Sequence, residues 1–293
     1  MNSVGGARDY VRREVLWEWP LSRVERVHLD RGKSLVVKRS RRPMIDEGRI
    51  LRHLGRSNIP LPKLYLSWGR DGILTMVLED LGPAVREATF QEAASAAVRT
   101  HAASPPPRLQ VLDAGALAGL PSRTLEALDR LERAGRWQDA AGVRSTLLRL
   151  EPVAERLSEG AELPPFGLCH SEFHPLSLHI GSKRIGLVDW ARAFVGPGLL
   201  DLASYSGTVL TPDPAACRAL IEGYVAEGGA PEARAPRAGL PAERWALLWH
   251  RVWTAEWFAS SCATWMTDTG KDAEYQVTVL RHLEEALDLA GAD

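Results

Sequence analysis

Hydrophobic and polar positions follow two different rhythms along this chain. Residues 24–40, VERVHLDRGKSLVVKRS, hold two short alternating runs on either side of Asp30-Arg31-Gly32-Lys33. A period of two around a turn-forming tetrapeptide predicts a β-hairpin. Residues 44–55, MIDEGRILRHLG, switch to a helical period, with Ile45, Ile50, Leu51 and Leu54 on one side and Gly55 as the stop. Residues 62–82 predict two more strands around Gly69-Arg70-Asp71-Gly72. The N-terminal part therefore reads as a small antiparallel sheet with one inserted helix.

Beyond Gly82 the rhythm becomes helical. Residues 89–102 and 123–158 are rich in Ala, Leu, Arg and Glu at helical spacing, and Ser104-Pro105-Pro106-Pro107 separates them. A β-type pattern returns over 166–190, FGLCHSEFHPLSLHIGSKRIGLVDW. Helices resume after Gly198, broken by an Ala/Pro/Arg-rich stretch at 229–241 that reads as an exposed loop. No internal repeat is present. The change of pattern places a boundary near residues 80–84, with lobes at 1–82 and 83–293. The expected class is α+β, two-lobed, with a small antiparallel-sheet N-lobe and a mostly helical C-lobe.

Composition narrows the field. The chain has 293 residues, 45% hydrophobic and 25% charged, with a net charge of −1. That length buries a substantial core, and the composition excludes disordered and fibrous classes. No run reaches the roughly 18–20 apolar residues of a membrane span. Residues 1–15 contain no apolar stretch of the secretory kind, so none is expected to act as a signal. The near-zero net charge, with basic residues dispersed, leaves no footprint for nucleic acid. Cys169, Cys217 and Cys262 are widely spaced and odd in number, which argues for a reducing, cytoplasmic setting. Only five of the 36 basic residues are lysines: Lys33, Lys38, Lys63, Lys183 and Lys271. With abundant Ala, Gly, Pro and Arg, this reads as the coding bias of a GC-rich bacterial genome, and it gives each lysine position more weight.

The densest polar segment is His170-Ser171-Glu172-Phe173-His174-Pro175, followed by Ser177-Leu178-His179-Ile180. A hairpin turn at Gly181-Ser182-Lys183-Arg184 leads to Ile185-Gly186-Leu187-Val188-Asp189-Trp190. Glu172 stands on a Pro-containing loop and Asp189 ends an apolar strand. The hairpin lets both carboxylates converge on one cleft. Two carboxylates beside hydroxyl and imidazole groups suit a hard divalent metal and a proton acceptor.

HSEFHPLS at 170–177, VDW at 188–190 and GPGLLDLA at 196–203 resemble, in order and spacing, the motif set of the aminoglycoside phosphotransferase and choline kinase-like family, which has a protein-kinase-like fold. Lys38 at the end of a Leu-Val-Val strand, Glu47 on the first helix, and TMVLEDLG (75–82) as an interlobe hinge agree with it. The resemblance covers roughly residues 20–290. It implies ATP and Mg²⁺ as cofactors and phosphoryl transfer to a hydroxyl of a small molecule, antibiotic-like or another alcohol, or of a biosynthetic peptide. It implies that Glu172 orients or deprotonates the acceptor hydroxyl and that Asp189 holds the metal on the ATP phosphates. Lys38 would contact the α/β-phosphates and pair with Glu47, and main-chain groups around Glu79 and Leu81 would read the adenine edge. Asp201 would brace the catalytic loop, with His170 and His174 in supporting roles.

Three departures from that pattern stand out. Glu172 replaces the family's aspartate and is one methylene longer. Ser177 replaces the usual metal-binding asparagine and would ligate the metal through its hydroxyl, more weakly than an amide carbonyl; His179, on the same strand face, could substitute, though imidazole is a poor ligand for hard Mg²⁺. Arg31-Gly32-Lys33 offers a single glycine where a Gly-rich phosphate loop would be sought. The first two departures keep a second reading open, a pseudokinase-like binding or scaffold protein, active only with a partner or not at all; the third weighs little, since many members of the resembled family lack a strict glycine fingerprint.

Other chemistries fare less well. His170, Glu172 and His174 alternate, but HSEFH lacks the HExxH spacing that puts two histidines on one helical face. A deaminase-type zinc site would require a CxxC pair. Cys169 has only His170 beside it in sequence and reads as a packed thiol. Trp245, Trp249, Trp253 and Trp257 recur every four residues on a predicted helix, with Trp265 beyond. Core packing explains most of such a stripe. Trp249 and Trp253, with Glu256 and less so Asp268, are the residues to test as an acceptor wall, and an exposed stripe would instead dock a protein partner.

Overall fold

The computed structural model describes residues 10–205 and 210–291. The chain opens with β1 (Tyr10–Trp19), β2 (Ser22–Leu29) and β3 (Ser34–Arg41), then α1 (Glu47–Leu54), then β4 (Leu64–Arg70) and β5 (Ile73–Glu79). The five strands form one antiparallel sheet in the order β1-β2-β3-β5-β4. Ile50, Leu51 and Leu54 give α1 its apolar face, buried in the same core as Leu74, Met76 and Leu78 of β5. The helix and its stop thus match the period read in the sequence, while β1 was not expected. Its positions Val15 and Trp17 are exposed at the sheet edge, so the alternation there does not mark a core face.

The register corrects one expectation. Lys38 pairs with Val24, beside the turn Trp19-Pro20-Leu21 that joins β1 to β2. Arg31-Gly32-Lys33 joins β2 to β3 at the opposite end, five residues or roughly 17 Å along the strand from Lys38. The segment that overhangs the lysine is therefore the glycine-free β1–β2 turn.

Beyond the hinge, β6 (Ala84–Arg86), β8 (Leu178–Gly181) and β9 (Ile185–Leu187) form a small sheet, and β7 (Phe166–Cys169) pairs with β10 (Phe194–Pro197). The helices are α2 (Phe90–His101), α3 (Ala114–Ala118), α4 (Leu120–Arg133), α5 (Ala141–Ser158), α6 (Leu199–Ser204), α7 (Pro214–Ala226), α8 (Ala242–Thr264) and α9 (Asp272–Ala290). The periodic stretch at 123–158 is broken into α4 and α5, with Gly135 at φ 73° just past the end of α4, where a side chain would be strained. α8 packs against α4, α6, α7 and α9, so it is apolar nearly all round. This is an antiparallel-sheet region followed by a helical region, a kinase-like α+β arrangement.

Candidate active site

Two carboxylates and an ammonium define the centre. Lys38 projects from β3, and its Nζ stands 2.7 Å from Oε2 of Glu47 on α1 and 2.7 Å from Oδ1 of Asp189. The Trp190 amide donates to Oε1 of Glu47 at 3.2 Å, which ties α1 to the segment carrying Asp189. Burial alone would lower the Lys38 ammonium, but the Glu47 and Asp189 carboxylates overcome it and raise it. Lys38 is therefore charged throughout the physiological range. Burial pulls Asp189 upward and Lys38 more than reverses it, so Asp189 is held below the usual carboxylate range. Burial raises the Glu47 carboxyl despite its lysine. Asp189 adopts φ 72°, an uncommon left-handed conformation that aims its carboxylate across the cleft, where half of the side chain remains exposed.

The loop after β7 is fixed by Asp201 of α6, which is buried. Its Oδ2 accepts from the His170 amide at 2.7 Å, and its Oδ1 accepts from the Ser171 amide at 2.8 Å. His101, at the end of α2, approaches Oδ2 with Nε2 at 3.3 Å. The His170 ring donates from Nε2 to the Val188 carbonyl at 2.8 Å and stacks edge-on against Trp190, centroids 4.6 Å apart. Burial lowers the His170 imidazole, so the ring is neutral and serves as a strut. Cys169 is buried beside this brace. Burial pushes its thiol well up, away from nucleophile chemistry.

Glu172 follows directly, partly exposed, with Oε1 3.4 Å from an Nη of Arg192. Burial raises its carboxyl, Arg192 and Lys38 oppose this, and Asp189 adds to it. Ser177 is buried and its Oγ lies 3.2 Å from Nε2 of His174, so the hydroxyl is engaged within its own loop. Its carbonyl accepts from the Val188 amide at 2.8 Å, one residue before Asp189. His179 is engaged by the chain itself. Its Nε2 donates to the Gly82 carbonyl at 2.9 Å, and the ring is a hinge tie rather than a ligand.

The hinge is held from several sides. Glu79 accepts from Nε of Arg184 at 3.0 Å and from the Lys63 amide at 3.0 Å, and Arg184 keeps its carboxyl low. The Leu81 carbonyl accepts from the Lys183 amide at 3.2 Å. Asp80, between them, is buried and accepts from Arg26 Nε at 3.0 Å, from Ser34 Oγ, and from the Gly82 amide at 2.9 Å. In the sequence Asp80 looks like an ordinary acidic residue, and only the register of β2 and β3 reveals its partners.

The tryptophan stripe needs correction. Trp245 and Trp249 are in the core, and both indole N–H groups donate to the Leu157 carbonyl, at 2.8 and 2.9 Å. Trp249 is thus no acceptor residue, and the stripe is no exposed docking face. A four-residue step on a helix of 3.6 residues per turn overshoots by about 40°. Three steps swing Trp257 about 120° away from Trp245, out of the core. Trp253, at the boundary, packs on Phe194 with centroids 4.9 Å apart. Trp257 is partly exposed, contacts Trp265 at 6.2 Å, and Trp265 contacts Trp19 of the β1–β2 turn at 6.0 Å. Glu256 is partly buried and accepts from Ser260 Oγ at 2.7 Å. Asp268 turns its carboxylate onto the Gly270 amide instead. Arg192, Trp19 and His101 were not singled out in the sequence, where nothing beyond the proximity of Arg192 to Asp189 marks them.

The sequence profile of the phosphotransferase enzyme family matches residues 21–241. This chain belongs to that family. A thermostable mutant of aminoglycoside phosphotransferase APH(4)-Ia, solved as a ternary complex with ADP and hygromycin B, superposes with a TM-score of 0.59 at 15% identity, covering 94% of each chain. The macrolide 2′-phosphotransferase of Brachybacterium faecium gives a TM-score of 0.58 at 18% identity, covering 94% of this chain and 93% of its own. An amicoumacin kinase solved with AMP-PNP and Ca²⁺ gives 0.57 at 15% identity, covering 91% and 88%. At these identities the likeness shows a shared fold. No curated protein matches the sequence. Among the described residues, no helix is long and apolar enough to cross a membrane.

Proposed function

We propose that this phosphotransferase-family chain moves the γ-phosphate of ATP to a hydroxyl of a small acceptor, in the cleft between a nucleotide-binding lobe, residues 1–82, and an acceptor-binding lobe, residues 83–293. The observation that carries this reading is the Lys38 ammonium held between Glu47 and Asp189, both at 2.7 Å. An ammonium fixed beside a half-exposed carboxylate suits a triphosphate with its cation. Lys38 binds the α/β-phosphates and Glu47 holds Lys38 in place. The main chain at Glu79 and Leu81 meets the adenine edge.

The donors present fit a magnesium ion. Mg²⁺ is commonly held by one or two carboxylates, substrate phosphates and water, and Asp189 Oδ2 supplies such a carboxylate oxygen. The Ser177 hydroxyl, engaged by His174, is a weaker second donor. Bound there, the ion would neutralise charge on the phosphates. Glu172 orients the acceptor oxygen in line, and Asp201, with His170 and His174, holds the loop that presents it.

On the acceptor side, Trp253, Trp257 and Glu256 form the wall. Arg192 already fills the space between the two indoles, with its Cζ 5.2 and 4.3 Å from their ring centroids. A cation in that place favours an acceptor without the dense positive charge of a polyamine. The neighbours bound to hygromycin B and to amicoumacin support a small-molecule acceptor.

A second reading is a nucleotide-holding protein that does not transfer phosphate. The engaged Ser177 hydroxyl favours it. Calorimetry with ATP and Mg²⁺ tests the common ground. Micromolar binding by the native chain, lost in Asp189→Ala, supports the cleft, and no binding at millimolar ATP overturns both readings. Phosphate transfer across a panel of neutral and anionic alcohols then separates the two.

A further inference from the structure

Glu172 is longer than the aspartate its loop position resembles, and a longer side chain has one more rotatable bond to immobilise. Position matters at this place, because an error near 1 Å costs about 100-fold in rate. Something must therefore hold the carboxylate, and one neighbour has the geometry to do so.

That neighbour is Arg192. Its guanidinium approaches Oε1 of Glu172 at 3.4 Å, and among the described residues no other group accepts a hydrogen bond from it. The guanidinium is itself held. It lies over Trp257 at 4.3 Å and over Trp253 at 5.2 Å, while Phe194 backs Trp253 and Trp265 backs Trp257. A planar, delocalised cation stacks on indole faces, which a lysine ammonium cannot reproduce. The chain of contacts runs from buried aromatic packing to the partly exposed carboxylate without a gap.

We propose that Arg192 is a positioning residue for the acceptor side: the Trp253–Trp257 cradle fixes the guanidinium, and the guanidinium fixes the Glu172 carboxylate, ionised, where the acceptor hydroxyl is to be met. The role of Glu172 in transfer rests on the function proposed above, whereas the clamp does not. The charges facing Glu172 are Arg192, Lys38 and Asp189, and Glu256 faces Arg192 from α8. Removing Arg192 leaves burial and Asp189 to raise the carboxyl, with Lys38 alone opposing.

The test follows the Glu172 carboxyl carbon by NMR in glutamate-labelled protein, assigned through Glu172→Gln, as the pH is varied. Native protein, Arg192→Met, Arg192→Lys and Trp257→Leu are compared, each with its ATP·Mg²⁺ affinity measured by calorimetry. Arg192→Met is expected to raise the midpoint by about one pH unit. Arg192→Lys recovers part of the shift, Trp257→Leu gives an intermediate one, and nucleotide affinity stays within about twofold. A midpoint unmoved in Arg192→Met, with nucleotide binding retained, overturns the clamp. If Arg192→Met fails to fold, the other two variants decide, since unmoved midpoints in both overturn it equally. If native protein binds no nucleotide while the midpoint still shifts, the clamp stands and the phosphotransfer reading fails.

Discussion

Lys38 Nζ lies 2.7 Å from Oδ1 of Asp189, a residue 151 positions further along the chain. The contact joins the sheet to the segment after β9, and Glu47 closes it from α1. Lys38 and Glu47 are both buried, so the interaction is little screened. Replacing Lys38 by methionine leaves Glu47 buried without its cation. We expect a loss of about 3 kcal/mol in stability, read by urea unfolding, together with loss of ATP binding. Lys38→Met binding ATP as tightly as the native chain would refute the phosphate role.

Ser171 adopts φ 83°, in the left-handed region where glycine is at ease and a β-carbon is strained. Its hydroxyl is buried and finds no hydrogen-bond partner among the described residues. Ser171→Gly relieves both costs and keeps the amide that donates to Asp201. The expected outcome is a gain of about 1 kcal/mol, seen as a higher urea midpoint. A lower midpoint would mean that the hydroxyl has an unrecognised role.

Much of this arrangement was legible in the sequence, and the rest was hidden for identifiable reasons. β4, at the other edge of the sheet with Leu66 and Trp68 exposed, is marked by the turn that joins it to β5, whereas α1, β3 and β5 show through because one face of each meets the core, leaving its period in the residues. β1 does not, because its edge position leaves Val15 and Trp17 wet. Lys38, Glu47 and Asp189 could be named together only through a motif resemblance, since no local pattern links residues so far apart. Asp80 and Arg192 depend on partners brought by other elements, Arg26 and Ser34 for one and two indoles for the other. The tryptophan stripe misled because regular spacing of four reads as one face, although a helix turns steadily beneath it.

Trp249 and Trp257, eight residues apart on α8, should respond differently to truncation. Trp249 is enclosed and hydrogen-bonded, so Trp249→Ala leaves a large cavity and removes one of the two indole donors to the Leu157 carbonyl. A loss of about 4 kcal/mol is expected, enough to lower the thermal midpoint by roughly 6–7 °C in a chain of this length. Trp257→Ala, on the partly exposed side, should cost about 1–2 kcal/mol. Comparable losses for the two would contradict the helix rotation described above.

His250 and His282 are buried on α8 and α9, and burial brings both imidazoles down from the ordinary 6.5 to about 3. Nδ1 of His282 lies 3.0 Å from an Nη of Arg251, which requires the neutral ring to accept. In the unfolded chain both rings take up protons as the pH falls below about 6.5, while in the folded chain they stay neutral until about pH 3. The unfolded state therefore binds more protons, and stability falls as the pH drops through that window. Each histidine contributes a slope approaching 1.4 kcal/mol per pH unit, or about 2 kcal/mol between pH 6.5 and 5. Urea unfolding at pH 7, 6 and 5 reads this directly. His282→Gln removes one titrating group, keeps an acceptor for Arg251, and should flatten the slope by nearly half of the histidine contribution. An unchanged slope in that variant would show that His282 is already protonated in the fold, and that the α8–α9 interface tolerates the charge.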